Sequence, residues 1–241
     1  MEAVANNLAN VDTTGYKQDQ PAFEMVFARS MAVPSTSDEE QFFHGQHIPP
    51  YTRVGTHFVS VADMGKDFNQ GRLMNTGRVF DLAMGQEQGF FTLSTPQGER
   101  YTRAGNFHLN AENQLSSPQG HLVLGKDGEP IVIEGKEVAF NEDGSIVVDG
   151  QVIGGLKVVE FDSPEQLQKL GSNLFAPIAP EHSARILEET SVQQGYLESS
   201  NVDSFKEMVR MIEANRAYSS MQRALTVNDR MNENAISLGK V

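Results

Sequence analysis

Ser204-Phe205-Lys206-Glu207-Met208-Val209-Arg210-Met211-Ile212-Glu213-Ala214-Asn215-Arg216-Ala217-Tyr218 opens the longest uninterrupted helical pattern in the chain. Within Ser199 to Leu238, Met211, Ala214, Tyr218, Met221, Leu225 and Asn228 follow each other at alternating steps of three and four, a heptad seam with one polar break at Asn228. Ala217, Ala224, Met231, Ala235 and Leu238 widen that seam on one side. No glycine or proline interrupts the stretch before Gly239, so it predicts a helix of about 35 residues, about three times the mean length in globular proteins. Its start is signposted by S-x-x-E at Ser204 to Glu207, with Asp203 as an alternative cap one residue earlier. A seam of this length asks for a partner along it, because otherwise an apolar face stands in water.

The composition narrows the classes of function. The formal charge of −13 and the absence of any basic run argue against nucleic-acid binding, which needs clustered Lys and Arg to neutralise phosphate. With no cysteine, disulfides, thiolate nucleophiles and Cys-ligated zinc are excluded. Nothing approaches 18 consecutive apolar residues, and the first residues lack the basic flank and apolar core of a secretory signal. No membrane insertion is expected.

Residues 1–30 combine an Asn-rich start, weakly helical at best, with a stop at Gly15 and a second short apolar pattern of Phe23, Val26 and Phe27. Residues 31–51 are polar and contain Pro34, Pro49 and Pro50, which predicts an extended or mobile linker. From Thr52 onward, short β-runs alternate with turn residues. Pro96-Gln97-Gly98, Lys126-Asp127-Gly128, Glu142-Asp143-Gly144 and Asp149-Gly150 supply the positive φ that tight hairpins need. Ser163 to Lys169 reads as one helical turn capped by Ser163. The expected division is a terminal helical region from 1–30 and 195–241, the linker at 31–51, and a β-rich domain with its connector at 52–194. The fold class expected is therefore a mainly β central domain inserted between N- and C-terminal helical segments that form a discontinuous coiled-coil region.

Chemistry is hard to find in this pattern. Glu99, Glu112, Asp127 and Glu142 could be paired as acid and base, yet each falls in or beside a predicted turn, where carboxylates are ordinarily solvated. His44 and His47 have no third ligand at a defined spacing, and His57, His108, His121 and His182 stand alone. Asn141-Glu142-Asp143-Gly144 lacks the remaining ligands of a calcium loop and reads as a hairpin turn. Arg103-Ala104-Gly105-Asn106-Phe107 reads as a strand bend at Gly105 with an outward arginine. No catalytic residue, cofactor site or metal site is expected. A β-domain hydrolase with a helical tail would need a pocket with convergent polar groups, and an adhesin-like binding module would not need both terminal patterns.

Two terminal stretches carry a resemblance. Ala5-Asn6-Asn7-Leu8-Ala9-Asn10-Val11-Asp12-Thr13-Thr14-Gly15-Tyr16-Lys17 resembles the N-terminal signature of bacterial flagellar basal-body rod and hook proteins. Gly195 to Val202, Glu207-Met208-Val209, Met211-Ile212 and Arg216-Ala217-Tyr218 are similar to the C-terminal block of the same family. Between them, Gly71-Arg72-Leu73, Asp81-Leu82-Ala83, Gly89-Phe90-Phe91 and Tyr101 to Phe107 resemble the run that joins the two. Size and a single β-domain point to the rod subclass and away from the much longer hook protein. Gln151 to Val159 looks closer to the proximal-rod form than to the distal-rod form.

The resemblance implies an axial subunit without catalysis, exported unfolded by the flagellar type III apparatus to the periplasmic rod. It would be monomeric before assembly and would then stack on copies of itself and on other rod proteins to transmit torque. Asn6, Asn7, Leu8, Asn10, Gly15, Tyr16, Lys17, Asn201, Val202, Met208, Val209, Met211, Ile212, Arg216, Tyr218, Met221 and Leu225 are the residues it assigns to assembly. Family members carry a further helical stretch before the Asn-rich motif, where this sequence has four residues, so the resemblance implies less of an intramolecular partner for the long helix. The heptad itself does not say whose helix fills it.

Overall fold

Side chains on a strand alternate between its two faces, and in Phe90–Thr95 both faces are buried. Phe91 and Leu93 enter one core, with Leu82, Phe107, Leu115, Ile146, Leu156 and Val158 among its members. Phe90 enters the other, with Tyr101, Val159, Phe161, Leu167 and Phe175. A strand covered on both sides needs a near-continuous apolar run, which Gly89-Phe90-Phe91-Thr92-Leu93 provides. This computed structural model describes residues 2–27, 42–43, 46–47, 57–178 and 184–238, with side chains described over 2–20, 65–178 and 184–231.

The chain divides into two units, Met1–Asp19 with Lys66–Val241 and, separately, Gln20–Gly65. The first is built on a nine-stranded sheet whose path runs Leu167–Gly171, Leu174–Pro177, Gly98–Thr102, Phe90–Thr95, Leu122–Val123, Leu115–Ser116, His108–Leu109. Val158–Glu160 branches from this path, pairing antiparallel with Phe90–Thr95 and with Arg185–Ile186. A three-stranded sheet of Val138–Phe140, Ser145–Val148 and Gln151–Gly155 contributes Phe140, Ile146 and Val148 to the larger core. The four turns expected from the sequence each hold their glycine at positive φ, and Asp149 joins Gly150 there. The second unit contains most of the strand pair Gln18–Phe27 with His57–Asp67, and the short pair Phe42–Phe43 with Gln46–His47.

The two ends of the first unit return to its middle. Val192–Gln194 pairs antiparallel with Leu82–Met84, and Tyr196–Glu198 with Leu73–Asn75, placing Glu198 opposite Leu73. Helix α1, Glu2–Ala9, packs on helix α2, Ser204–Leu238. Asp203 caps α2: its Oδ1 accepts the amides of Phe205 at 3.1 Å and Lys206 at 3.2 Å. The Lys206 amide, then the Lys206 charge and the Phe205 amide, hold the Asp203 carboxyl below its ordinary value against the opposing effect of desolvation. Ser204 is not the cap, and Glu207 turns inward rather than back along the helix.

Several expectations are corrected. The β centre flanked by helices is present, but the discontinuous coiled coil is not. Eight residues of α1 span about 12 Å, whereas the 35 of α2 span about 52 Å. The buried or half-buried side chains of α2 up to Met231 are Ser204, Glu207, Met211 and Ala214, so cover ends after the first two seam positions. Gln18–Phe27 is a strand where a helical terminal region was expected. Helical structure after Ser163 is a 3-10 turn, Pro164–Gln166, without a side-chain bond from Ser163, and Leu167–Gly171 is already a strand. The linker at 31–51 lies outside the described residues apart from its two short strands, as do His44 and His182.

Candidate functional site

Lys17 lies in extended chain immediately after a turn at Gly15, and that turn is possible only because residue 15 has no side chain. Gly15 has φ +67°, and a Cβ there would stand 2.4 Å from the backbone nitrogen of Ala104. The close approach delivers Lys17 to Glu198. Its Nζ donates to Glu198 Oε1 at 2.6 Å and to the Asn69 carbonyl at 2.8 Å, and both side chains are fully buried. Glu198 Oε1 also accepts the amide of Gly71 at 2.9 Å.

Arg103 is the third member of this junction and is fully buried, contrary to the outward orientation expected. Its Nη1 donates to the Gln86 carbonyl at 2.8 Å and lies 3.5 Å from Glu198 Oε2, while the guanidinium sits 5.1 Å from the centre of the Phe90 ring. Its Nε and Nη2 have no partner among the described residues. Gly105 explains why the chain can hold Arg103 here: a Cβ at residue 105 would fall 1.7 Å from the Leu82 carbonyl oxygen. Two buried cations thus share one carboxylate. Burial pushes the Lys17 ammonium and the Arg103 guanidinium below their ordinary values, and Glu198 opposes the shift in both.

Around this centre the Asn-rich motif closes a second layer. Asn7 Oδ1 accepts the Asp19 amide at 2.9 Å and the Tyr16 hydroxyl at 3.1 Å, and its Nδ2 donates to the Asp19 carbonyl at 2.9 Å. Lys169 Nζ lies 4.1 Å from the centre of the Tyr16 ring and donates to Asp19 Oδ1 at 2.7 Å. Asn201 takes the Gln18 amide on Oδ1 at 2.8 Å and donates from Nδ2 to the Asp67 carbonyl at 2.8 Å. Glu207 Oε1 accepts from Gln18 Nε2 at 2.7 Å and from Arg210 Nη1 at 2.6 Å.

The residues picked from the sequence therefore fall into two groups. Asn7, Gly15, Tyr16, Lys17 and Val202 are buried; Leu8, Asn10 and Asn201 are half-buried; Asn6 is exposed but donates to Asp19 Oδ2 at 3.3 Å. Met211 is half-buried, and Met208, Val209, Ile212, Arg216, Tyr218, Met221 and Leu225 are exposed. Sequence reasoning missed Glu198, Arg103 and Asp19 as junction members. The signal available was the pairing of charged residues with close-approach glycines inside apolar runs, Arg103 with Gly105 and Lys17 with Gly15.

The chemistry open to this arrangement is cohesion. Glu99, Glu112, Asp127 and Glu142 are exposed. Among the described residues, three or more His, Cys, Asp or Glu side chains nowhere gather as a metal site, and no helix is long and apolar enough to cross a membrane. The fold and junction define a β-body whose terminal segments are locked to its middle and which carries one long helix with an open apolar stripe. Family models match in three places: flagella basal body rod protein at residues 1–17, flagellar hook protein FlgE/F/G D1 domain at 86–152, and flagellar basal body rod FlgEFG protein C-terminal at 193–238. Lys17, Arg103 and Glu198 come one from each. The chain is 30% identical over 246 residues to the flagellar basal-body rod protein FlgG of Agrobacterium fabrum, covering 96% of this chain and 90% of that protein. It is 31% identical to FlgG of Borreliella burgdorferi, covering 96% and 89%, and 30% identical to FlgF of Caulobacter vibrioides, covering 100% and 92%. The chain belongs to the flagellar basal-body rod protein family, a structural component of the bacterial flagellum, and its place is the basal-body rod. Identity does not separate the two names.

Proposed function

We propose that the chain is an axial building block of the rod that transmits torque by packing the open face of α2 against neighbouring subunits, including copies of itself. The observation that carries this reading is the exposure of Tyr218, Met221 and Leu225, at 58%, 69% and 61%, in register with the half-buried seam positions Met211 and Ala214. Burying side chains of this size contributes about 1.5–3 kcal/mol each, so the stripe supplies a strong drive for contact. The junction residues act within the subunit and fix where α2 starts. In this reading α1 and α2 belong to the axial part and the nine-stranded sheet to the outer part. The subunit travels unfolded and monomeric and catalyses nothing.

Within the rod, the proximal position is favoured by the resemblance at Gln151 to Val159. The distal position is the second reading, favoured by the relatives named FlgG. Sedimentation velocity of the full chain against a Tyr218→Ser/Met221→Ser/Leu225→Ser variant tests the packing role: association should weaken at least tenfold, and equal association of the two would sink it. Restoration of motility in cells lacking one or the other rod protein decides the position.

A further inference from the structure

The side of α2 opposite the seam has its own order. Arg216, Arg223 and Arg230 stand seven residues apart, and all three are exposed. Seven residues are two turns, so the guanidinium groups form one row about 10 Å apart, drifting by about 20° per step. By the same angular count, Met211, Tyr218 and Leu225 lie on the far side of the helix.

The earlier basic residues of α2 are neutralised locally, Lys206 by Asp203 at 3.6 Å and Arg210 by Glu207 at 2.6 Å. Arg216, Arg223 and Arg230 make no ion pair and no hydrogen bond among the described residues. Arg223 has Ser219, Ser220, Thr226 and Val227 at its helical neighbour positions, so its own helix offers it no carboxylate. Short side chains on either side also leave room for another surface to come close. Of the chain's 19 basic and 32 acidic residues, α2 holds five and four, leaving 14 against 28 elsewhere.

We infer that the Arg216–Arg223–Arg230 row is a second contact face of α2, which receives an acidic surface of another copy of this chain. The reason to choose a copy is charge complementarity: the molecule is strongly acidic outside the helix and basic along this row. Each guanidinium would meet its own carboxylate, since the spacing exceeds the reach of one acid to two arginines, and a bidentate pair adds geometric selectivity to the attraction. The helix is then gripped on two sides, by apolar contact along the seam and by ion pairs along the row. This inference rests on the reading of α2 as an assembly element but concerns the opposite face, so the two can fail separately.

The experiment is sedimentation velocity of the full chain at low and high NaCl, with circular dichroism to confirm that helix content is kept. Three variants are compared with the native chain: Arg216→Gln/Arg223→Gln/Arg230→Gln, the same three positions changed to Lys, and Tyr218→Ser/Met221→Ser/Leu225→Ser. Expected is association of the native chain that falls with salt. The Gln variant should associate at least tenfold more weakly and lose that salt dependence, and the Lys variant should recover most of both. The seam variant should weaken association while keeping the salt dependence. A Gln variant that associates like the native chain with the same response to salt overturns the second face and leaves the seam reading intact. A native chain that stays monomeric at every concentration and salt overturns the choice of a second copy.

Discussion

The junction around Glu198 and the face of α2 around Met221 invert each other. In the junction, charge lies inside the protein; on the helix, sulfur and aromatic carbon lie in water. Desolvating Lys17 and Arg103 is costly, and one carboxylate with three neighbouring backbone groups offsets part of that cost, more for Lys17 than for Arg103, whose Nε and Nη2 stay without a partner among the described residues. The helix face has no such offset within the subunit, since Tyr218, Met221 and Leu225 remain exposed. Both regions carry residues that the family resemblance marks in one breath. One family signature thus joins residues buried in a polar network, as at Lys17, with residues that the subunit leaves uncovered, as at Met221.

Breaking the junction should give the largest effect. Glu198→Gln leaves two buried cations without a counter-charge and should lower unfolding free energy by about 3–5 kcal/mol in urea titration. Lys17→Met should cost clearly less, because Arg103 still balances Glu198; equal losses would mean that Glu198 acts through packing and not through charge. Next come the close-approach glycines. Gly105→Ala drives a methyl into the Leu82 carbonyl and should cost about 1–3 kcal/mol or more through backbone displacement. An unchanged midpoint there would show that the Arg103 strand can move freely.

A smaller, pH-dependent effect belongs to Tyr16. Burial, and then the charge of Asp19, raises its phenol above the ordinary value. A raised folded value gives stability that is whole below the unfolded pKa of about 10 and is lost as pH climbs past it. Lys17 has the opposite sign, because its lowered ammonium value makes stability rise with pH over the alkaline range. Comparing the native chain with Tyr16→Phe isolates the phenol: the native advantage should shrink between about pH 9 and pH 11. A constant difference across that range would remove Tyr16 from the linkage. The smallest change in subunit stability should come from the helix face, where the triple Ser variant at 218, 221 and 225 should unfold within about 0.5 kcal/mol of the native chain. A larger loss would show that the stripe is needed within the subunit.

Much of the β-body was legible because its signals are local. Hairpin turns such as Asp149-Gly150 declare themselves by residue type, and the β-runs between such turns are apolar enough to read as strands, as the run through Phe90 and Phe91 is. Leu73–Asn75 and Leu82–Met84 were not read as strands, since each is three residues long and pairs with chain more than a hundred residues away. The inward turn of Arg103 escapes the sequence for the same reason: its acid is 95 residues distant, and an arginine on a strand is ordinarily outside. The heptad of α2 is legible as a pattern, and Ser204–Leu238 is one helix. What failed was the inference of a partner, because periodicity describes one surface and carries no record of what meets it.

Glu198 also sets a clock. The ion pair it makes with Lys17 closes a loop of 181 residues, and its contact with Arg103 spans 95. Contacts at such separation form late, after the entropy of the intervening chain has been spent. A chain delivered from its N-terminus would expose Lys17 and Arg103 first and would lack their counter-charge until four-fifths of its length had arrived. Until then, two cations would have to stay in water, and the interior could not shut around them. The junction therefore cannot close on Lys17 and Arg103 until residue 198 is present, which makes it one of the last parts of the interior to shut.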